Sequence, residues 1–211
     1  MFDLSPGDLD ASILGCGDGP ASFSAEMTAL GRSVVSVDPI YQFSADEIRQ
    51  RVQQTYDPIV SQLKQSSHRY VWETIPDADA LGQSRLAAME RFLLDYGRGK
   101  AEARYRYQSL PHLELANDQF DLCLCSHLMF LYSEQLSLDF HLASSLELLR
   151  IAPDVRIFPL LTLDGELSPY LKPVCAELSR NGFDVQVKSV AYEFQRGGNQ
   201  MLHVSRNGSA A

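Results

Sequence analysis

Residues 13–19 read ILGCGDG, and this run limits the fold more than any other part of the chain. The apolar residues stop at the first of three glycines, which stand at alternate positions. Glycine permits a positive φ and lets a ligand approach the bare backbone. A second apolar run, VVSVDP at residues 34–39, ends on Asp38. With a helix predicted over residues 20–31, the two runs indicate a strand–helix–strand unit that begins with a glycine turn.

The rest of the chain continues the alternation of apolar runs and helical patterns. Short apolar runs bounded by turn residues predict buried parallel strands, and the glycine-bearing QRGG link near the end predicts an antiparallel hairpin. The pattern predicts a single domain over residues 1–211 with an α/β, Rossmann-like, doubly wound seven-stranded sheet, mostly parallel with a C-terminal antiparallel hairpin. The remaining predicted strands cover residues 103–111, 119–127, 154–161, 183–194 and 199–205, with helices over 134–149 (Ser133 as N-cap) and about 169–181.

Residues 40–104 are helical in pattern and too long for one crossover, so they form a helical insertion or cap between the second and third strands. Ser44 and Glu47 have the spacing of a capping box at one helix start. The DP pair at residues 57–58 predicts a second helix start, and a third helix is predicted near 81–96. Two interpretations stay open for this insertion: a lid or substrate wall, and extra packing on the flank of the sheet.

Charge and composition exclude some classes of partner. The formal net charge of −9 argues against duplex nucleic acid, which binds to basic surfaces. No apolar run reaches the ~20 residues of a membrane helix, and the first residues lack the features of a signal peptide. We therefore expect a cytoplasmic protein that does not bind membranes. The four cysteines lack the spacing of a zinc site, so no metal is predicted. The sequence predicts no oligomeric state.

Four segments together resemble the motifs of class I S-adenosylmethionine (SAM)-dependent methyltransferases. They read ILGCGDGPASF, VVSVDP, YQSLPHL and FDLCLCSHLMFLY. Later stretches, LDFH, VRIFPLL and YEFQRGGNQML, are similar to an uncharacterised bacterial group of these enzymes. The resemblance covers nearly the whole chain, and it implies an enzyme that moves a methyl group from the cofactor SAM to an acceptor.

The resemblance also implies which residues bind the cofactor. Asp38 would accept hydrogen bonds from the ribose hydroxyls, and Ser126 and His127 would lie beside the sulfonium. Ser109 stands where many relatives carry an aspartate that binds the adenine amino group. The implied cofactor-binding residues are Gly15, Cys16, Gly17, Gly19, Asp38, Pro39, Ser109, Leu110, Ser126 and His127.

Methyl transfer needs the acceptor and the methyl group held in line, and it needs a base only if the acceptor must lose a proton. His127 is the catalytic candidate, because histidine titrates near neutral pH. The other interpretation makes His127 a neutral wall of the cofactor pocket. Tyr41, Tyr132 and Arg196 are candidates for binding the acceptor, with Arg196 suited to an anion. Packing or surface roles stay open for these three residues.

A small-molecule acceptor is expected, because the domain is small and acidic and has no appended binding module; a protein or RNA acceptor stays open. Two other classes of function also stay open. The first is a non-catalytic SAM-binding or sensing module. The second is an NAD-dependent oxidoreductase, although its GxGxxG pattern requires glycine at position 20, where Pro20 stands.

Overall fold

The computed structural model describes residues 1–206, and in that part of the chain it contains one seven-stranded sheet. The strands are β1 (Ile13–Cys16), β2 (Val34–Val37), β3 (Tyr105–Arg106), β4 (Leu122–Ser126), β5 (Asp154–Phe158), β6 (Phe183–Ser189) and β7 (Gln200–Arg206). Their order in the sheet is β3-β2-β1-β4-β5-β7-β6, and β7 runs in the direction opposite to the other six strands. This arrangement confirms the predicted fold class.

Within residues 1–206, six α-helices connect or flank these strands. They are α1 (Pro6–Asp10), α2 (Phe23–Ala29), α3 (Ala45–Gln65), α4 (Ala78–Ala101), α5 (Leu138–Ile151) and α6 (Leu171–Arg180). Three short 3₁₀ helices lie at Pro39–Gln42, Ser67–Arg69 and Phe130–Tyr132. None of the helices within residues 1–206 combines the length and apolar character needed to span a bilayer.

Strand β1 lies at the centre of the sheet because all four of its residues are apolar or small and buried. It pairs in parallel with both β2 and β4, and Cys16 lies opposite Val37 on one side and Cys125 on the other. The carboxyl ends of three strands therefore meet at one edge of the sheet. In open α/β sheets, ligands bind outside this edge.

Helix α3 begins as the capping box predicts. Ser44 Oγ accepts a hydrogen bond from Glu47 N, and the Glu47 carboxylate accepts one from Ser44 N at 2.8 Å. The predicted second helix start is wrong, because α3 continues through Pro58. Proline removes one backbone hydrogen bond from a helix. The buried side chains Val60 and Leu63 keep the later turns packed, which offsets that loss.

Helix α5 begins later than the sequence predicts. Its N-cap is Ser137, whose Oγ accepts a hydrogen bond from Phe140 N at 3.2 Å. Ser133, the predicted cap, is buried and donates instead to Phe130 O at 2.7 Å. This bond closes a 3₁₀ turn and leaves the intervening residues outside the helix. The predicted start at residue 134 is therefore wrong.

Strand β3 has only two residues, although the apolar pattern predicts a strand from residue 103 to 111. The chain leaves the sheet after Arg106 because Ser109 forms a bridge with His112 and turns the backbone back. Leu110 then packs in the core against the sheet rather than continuing the edge.

Apolar clusters fill both faces of the sheet and the insertion. On one face, α5 and α6 bury Leu148, Val174 and Leu178 against the strands. A separate aromatic cluster joins α4 to the end of β2, and it contains Tyr41, Phe92, Tyr96 and Tyr105. The insertion is therefore attached to the sheet near the carboxyl ends of the strands, where the glycine turn lies.

Candidate functional site

The glycine turn lies between the ends of β2 and β4. Gly17 has a φ of +72° and donates a hydrogen bond from its N–H to Val37 O at 3.1 Å. A Cβ at Gly17 would lie 2.9 Å from Leu128 Cβ, in the segment that follows β4. The close approach of these two segments therefore requires glycine at position 17. Gly19 has a φ of +57°, and a Cβ there would meet no atom within 4 Å. Gly19 is thus the glycine of the turn that faces open space.

Gly15 has a different role from the one predicted. The place that a Gly15 Cβ would take is filled by the carboxylate of Asp18, which accepts a hydrogen bond from Ser36 Oγ at 2.6 Å. Glycine at position 15 therefore makes room for a side chain of the turn itself, and not for a ligand. Burial raises the pKa of Asp18 to about 7; the Ser36 bond opposes this shift, and the negative charge of Asp38 adds to it.

Asp38 lies at the end of β2 and faces the glycine turn. Its Oδ2 accepts a hydrogen bond from Gly19 N at 2.9 Å, and its Oδ1 accepts one from Ile40 N at 2.8 Å. Burial raises the pKa of Asp38 despite these two bonds. A carboxylate has about four acceptor positions, so each oxygen can still accept a further hydrogen bond. Pro39, the next residue, opens the 3₁₀ helix that Asp38 caps.

His127 follows β4 directly and is held in an unusual backbone conformation. Its φ is +51°, a region that residues other than glycine rarely adopt and that is often found at functional sites. The His127 N–H donates to Phe158 O at 2.7 Å, and Nδ1 lies 2.9 Å from Ser126 Oγ. The His127 side chain keeps an exposed surface, but desolvation by the surrounding protein lowers its pKa to about 4, with help from the positive charges of Arg85 and the N-terminal amine. The imidazole is therefore neutral at neutral pH.

A cleft of about 480 Å³ opens beside His127. Its walls come from the helical insertion, from the ends of β4 and β5, and from the segment between β6 and β7. Residues that line it include Arg69, Arg85, His127, Phe158, Tyr192 and Phe194. A cleft of this size with aromatic walls suits a small molecule.

Tyr41 does not line this cleft, contrary to the prediction that it walls an acceptor site. It is 1% exposed and its ring stacks against Phe92 at a centroid distance of 6.0 Å. Its hydroxyl donates to Gly19 O at 2.8 Å. Tyr41 is thus a packing residue, and its hydroxyl fixes the glycine turn by this hydrogen bond.

Tyr132 and Arg196 also lie outside the lining of the cleft. Tyr132 is on the surface, and its neighbour Leu131 lines the cleft instead. Arg196 Nε donates to His68 O at 2.9 Å. The Arg196 side chain lines a second, more open cavity next to Trp72, so the structure does not bring it to His127.

The remaining predicted cofactor-binding residues differ in their solvent exposure. Ser109 is exposed, whereas the Leu110 side chain is 7% exposed and packs in the core. The thiol of Cys16 is buried as well, and burial raises its pKa well above the ordinary value. Leu110 and Cys16 can therefore meet a ligand only through their backbone. Asp38 N donates to Arg106 O at 3.3 Å, which places the end of β3 beside the end of β2.

Sequence reasoning missed Arg85, Arg69 and the aromatic pair Tyr192 and Phe194. Arg85 is one of several arginines on long polar helices, and no motif distinguishes it. Only the packing of α4 over the sheet brings it to the end of β4. Within residues 1–206, no group of three or more His, Cys, Asp and Glu side chains is placed to hold a metal ion.

Two solved structures that are similar to this one are SAM-dependent methyltransferases. One is the magnesium protoporphyrin IX methyltransferase of Synechocystis PCC 6803 with bound SAM, which is 13% identical with a TM-score of 0.50, covering 95% of this chain and 73% of that one. Another is a SAM-dependent methyltransferase from Methanosarcina mazei, 12% identical with a TM-score of 0.50, covering 97% and 98%. The chain therefore shares its α/β fold with these two methyltransferases.

The chain belongs to the same family as the uncharacterized protein MJ0045 of Methanocaldococcus jannaschii. The two are 30% identical over 207 residues, which is 98% of this chain and 90% of that protein. No protein-family model matches the chain. Because this relative is archaeal, the expected restriction to a bacterial group is not supported.

Proposed function

We propose that this protein is a cytoplasmic SAM-dependent methyltransferase acting on a small molecule. The observation that carries the proposal is the Asp38 carboxylate at the end of β2, bonded at 2.9 Å to the N–H of Gly19 in the glycine turn. Asp38 keeps acceptor positions for the two ribose hydroxyls, and Gly19 leaves space beside them. The residues present therefore fit an adenosyl group.

The strand order supports the adenosyl ligand over a dinucleotide. Dinucleotide-binding Rossmann sheets have the order 3-2-1-4-5-6 and are parallel. This sheet instead inserts an antiparallel β7 between β5 and β6. Pro20 also stands where the dinucleotide pattern has its third glycine.

SAM, when bound, would supply a methyl group that its positive sulfur already activates for transfer to an electron pair of the acceptor, with the carbon–sulfur pair left on sulfur. The protein's task is then to position the acceptor. His127 lines the cleft, and the next residue, Leu128, lies beside Gly17 of the glycine turn. As a neutral imidazole, it can accept a hydrogen bond, or a proton, from the acceptor.

Calorimetric titration tests the cofactor assignment. We expect S-adenosylhomocysteine (SAH) and SAM to bind to the protein, and NAD not to bind. Asp38→Asn is expected to raise the Kd of SAH at least about tenfold, because a charged acceptor of the ribose hydroxyls is lost. Asp57→Asn, at an exposed position on α3, is the matched control and should leave the Kd unchanged.

The Asp38 variant also loses bonds to its own backbone, so a ligand change separates the two effects. We would compare SAH with its 2′-deoxy analogue on the native protein and on Asp38→Asn. If Asp38 binds the ribose, removing the hydroxyl should cost much less affinity in the variant than in the native protein. An equal loss of affinity in both proteins would show that Asp38 does not bind the ribose. Binding of NAD alone would overturn the proposed function.

A further inference from the structure

The charges in the cleft beside His127 do not balance. Three ionised side chains line it: Arg69, Arg85 and Asp164. Arg69 is already engaged, because its Nη2 lies 3.7 Å from Asp164 Oδ1 and donates to Leu163 O at 3.2 Å. One guanidinium is left over. The cleft thus carries a positive charge on a protein whose formal net charge is −9.

The guanidinium left over is that of Arg85. It makes no ion pair or hydrogen bond with any residue in the part of the chain that the structure describes. Arginines elsewhere on α4 behave differently, since Arg91 pairs with Glu26 and Arg98 with Glu102. An unpaired guanidinium in a cleft is a ready donor for an oxyanion, which it can bind through two parallel hydrogen bonds.

Two further groups indicate where an anion would lie. The positive charge of Arg85 contributes to the low pKa of His127, and it opposes the burial that raises the pKa of Tyr192. Arg85 therefore acts on both side chains across the cleft. Next to them, the Phe158 ring lies edge-on to His127 at 5.7 Å and to Tyr192 at 5.8 Å, measured between ring centroids. The positive charge thus lies beside an aromatic wall.

We propose that the methyl acceptor is a small organic oxyanion, a carboxylate or phosphate on an apolar body. Its acid group binds Arg85, and its body packs against Phe158 and Tyr192. This proposal rests on the proposed function and adds the chemical class of the acceptor. It also moves the anion-binding role predicted for Arg196 to Arg85, because the structure places Arg196 in the other cavity.

A panel of matched ligands tests the proposal. Aromatic and aliphatic carboxylic acids, their phosphate counterparts and their neutral amides would be screened by ligand-observed NMR, with and without saturating SAH. We expect acids or phosphates to bind at least about tenfold more tightly than the matching amides, since a charge-assisted bond is lost in the amide. The stronger of the two anionic groups identifies the oxyanion.

Two variants then test whether Arg85 is the residue that binds the anion. Arg85→Gln should weaken the bound acids at least about tenfold and leave the Kd of SAH unchanged. Arg51→Gln, another exposed arginine but on α3 and outside the cleft lining, is the matched control and should change neither.

Three results would overturn the proposal: no anion of the panel binds, acids and amides bind equally, or Arg85→Gln leaves the affinity for the acids intact. A variant that loses SAH and not the acids would instead assign Arg85 to the cofactor. Failure of the proposed function is seen separately, as the absence of SAH binding to the native protein.

Discussion

Two carboxylates lie close together at the glycine turn, and they are held in different ways. Asp38 is stabilised by backbone N–H groups on both oxygens, whereas Asp18 has one hydroxyl donor, Ser36. Burial raises the pKa of both, and for Asp18 the value reaches about 7. The turn therefore contains a carboxyl group that gains or loses its proton near neutral pH. The neighbouring Tyr41 hydroxyl stays protonated, because burial and both carboxylates raise its pKa.

The raised pKa of Asp18 predicts a specific pH dependence of stability. A carboxyl group with a higher pKa in the folded state binds more protons there, so its ionisation destabilises the fold as the pH rises from about 4 to about 7. Asp18→Asn keeps an acceptor for Ser36 and removes this ionisation. We expect the variant to be more stable than the native protein at pH 8, by on the order of 2 kcal/mol, with a smaller difference at pH 4.

Urea unfolding at the two pH values measures this difference, with Asp57→Asn as an exposed control. A difference that does not change between pH 4 and pH 8 would show that Asp18 does not titrate in this range.

At the scale of elements, helix α4 fixes the turn that carries Asp38. The Tyr96 hydroxyl lies 3.0 Å from Tyr41 O and 2.9 Å from Phe43 O, and Lys100 Nζ donates to Tyr41 O at 2.9 Å. These bonds hold the C-terminal end of the 3₁₀ helix that follows Asp38. The insertion therefore supports the turn that carries Asp38 with α4 and lines the cleft with the same helix, through Arg85.

Tyr96→Phe tests this support while keeping the aromatic packing. Phe43 O would lose its partner, which is expected to lower the free energy of unfolding by about 1 kcal/mol. Because the turn then holds Asp38 less firmly, we expect the Kd of SAH to rise about threefold at a temperature well below unfolding. Tyr107→Phe, at a surface tyrosine, should change neither quantity. A loss of stability with no change in SAH affinity would show that α4 does not position Asp38.

At the scale of the whole molecule, Arg156 on β5 joins the N-terminal segment to the sheet. Its guanidinium donates to both oxygens of Asp8, at 2.9 and 3.1 Å, to Asp154 Oδ2 at 3.2 Å, and to Phe2 O at 3.0 Å. Burial alone would raise the pKa of Asp8 and Asp154, but their bonds, among them those from Arg156, outweigh burial and lower both pKa values. The arginine is 8% exposed, so the network is largely shielded from water.

Arg156→Met is expected to destabilise the protein by about 3 kcal/mol at pH 7, because it leaves the Asp8 carboxylate without its cation and removes one of the two basic partners of Asp154, which keeps His203 at 3.1 Å. Lowered pKa values in the folded state stabilise it above about pH 4, and this stabilisation is lost as the pH falls through those values. The difference between variant and native protein should therefore shrink in acid. Thermal unfolding at pH 7 and pH 3.5 measures it, with Arg180→Met, at an exposed arginine on α6, as control. A cost that is the same at both pH values would contradict the charge argument.

Much of the fold could be predicted because its signals are local. The glycine run, the β-branched strand that ends on Asp38 and the capping box of α3 each specify backbone conformation over a few residues. The predictions that were wrong also rested on local signals, but packing overrode those signals. Pro58 reads as a helix start, yet buried side chains on both sides of it keep α3 continuous. Ser133 reads as a cap, yet its hydroxyl closes an earlier turn.

The sequence by itself determined the seven-strand α/β sheet and placed the glycine turn next to Asp38. Both depend on residue periodicity and on the ends of strands, which are properties of residues adjacent in the chain. Only the tertiary structure decided that Asp18 fills the space at Gly15, that Tyr41 is buried, and that Arg85 rather than Arg196 faces His127. These contacts join residues far apart in the chain. They depend on how α4 packs over the sheet and on which side chains that packing leaves without a partner.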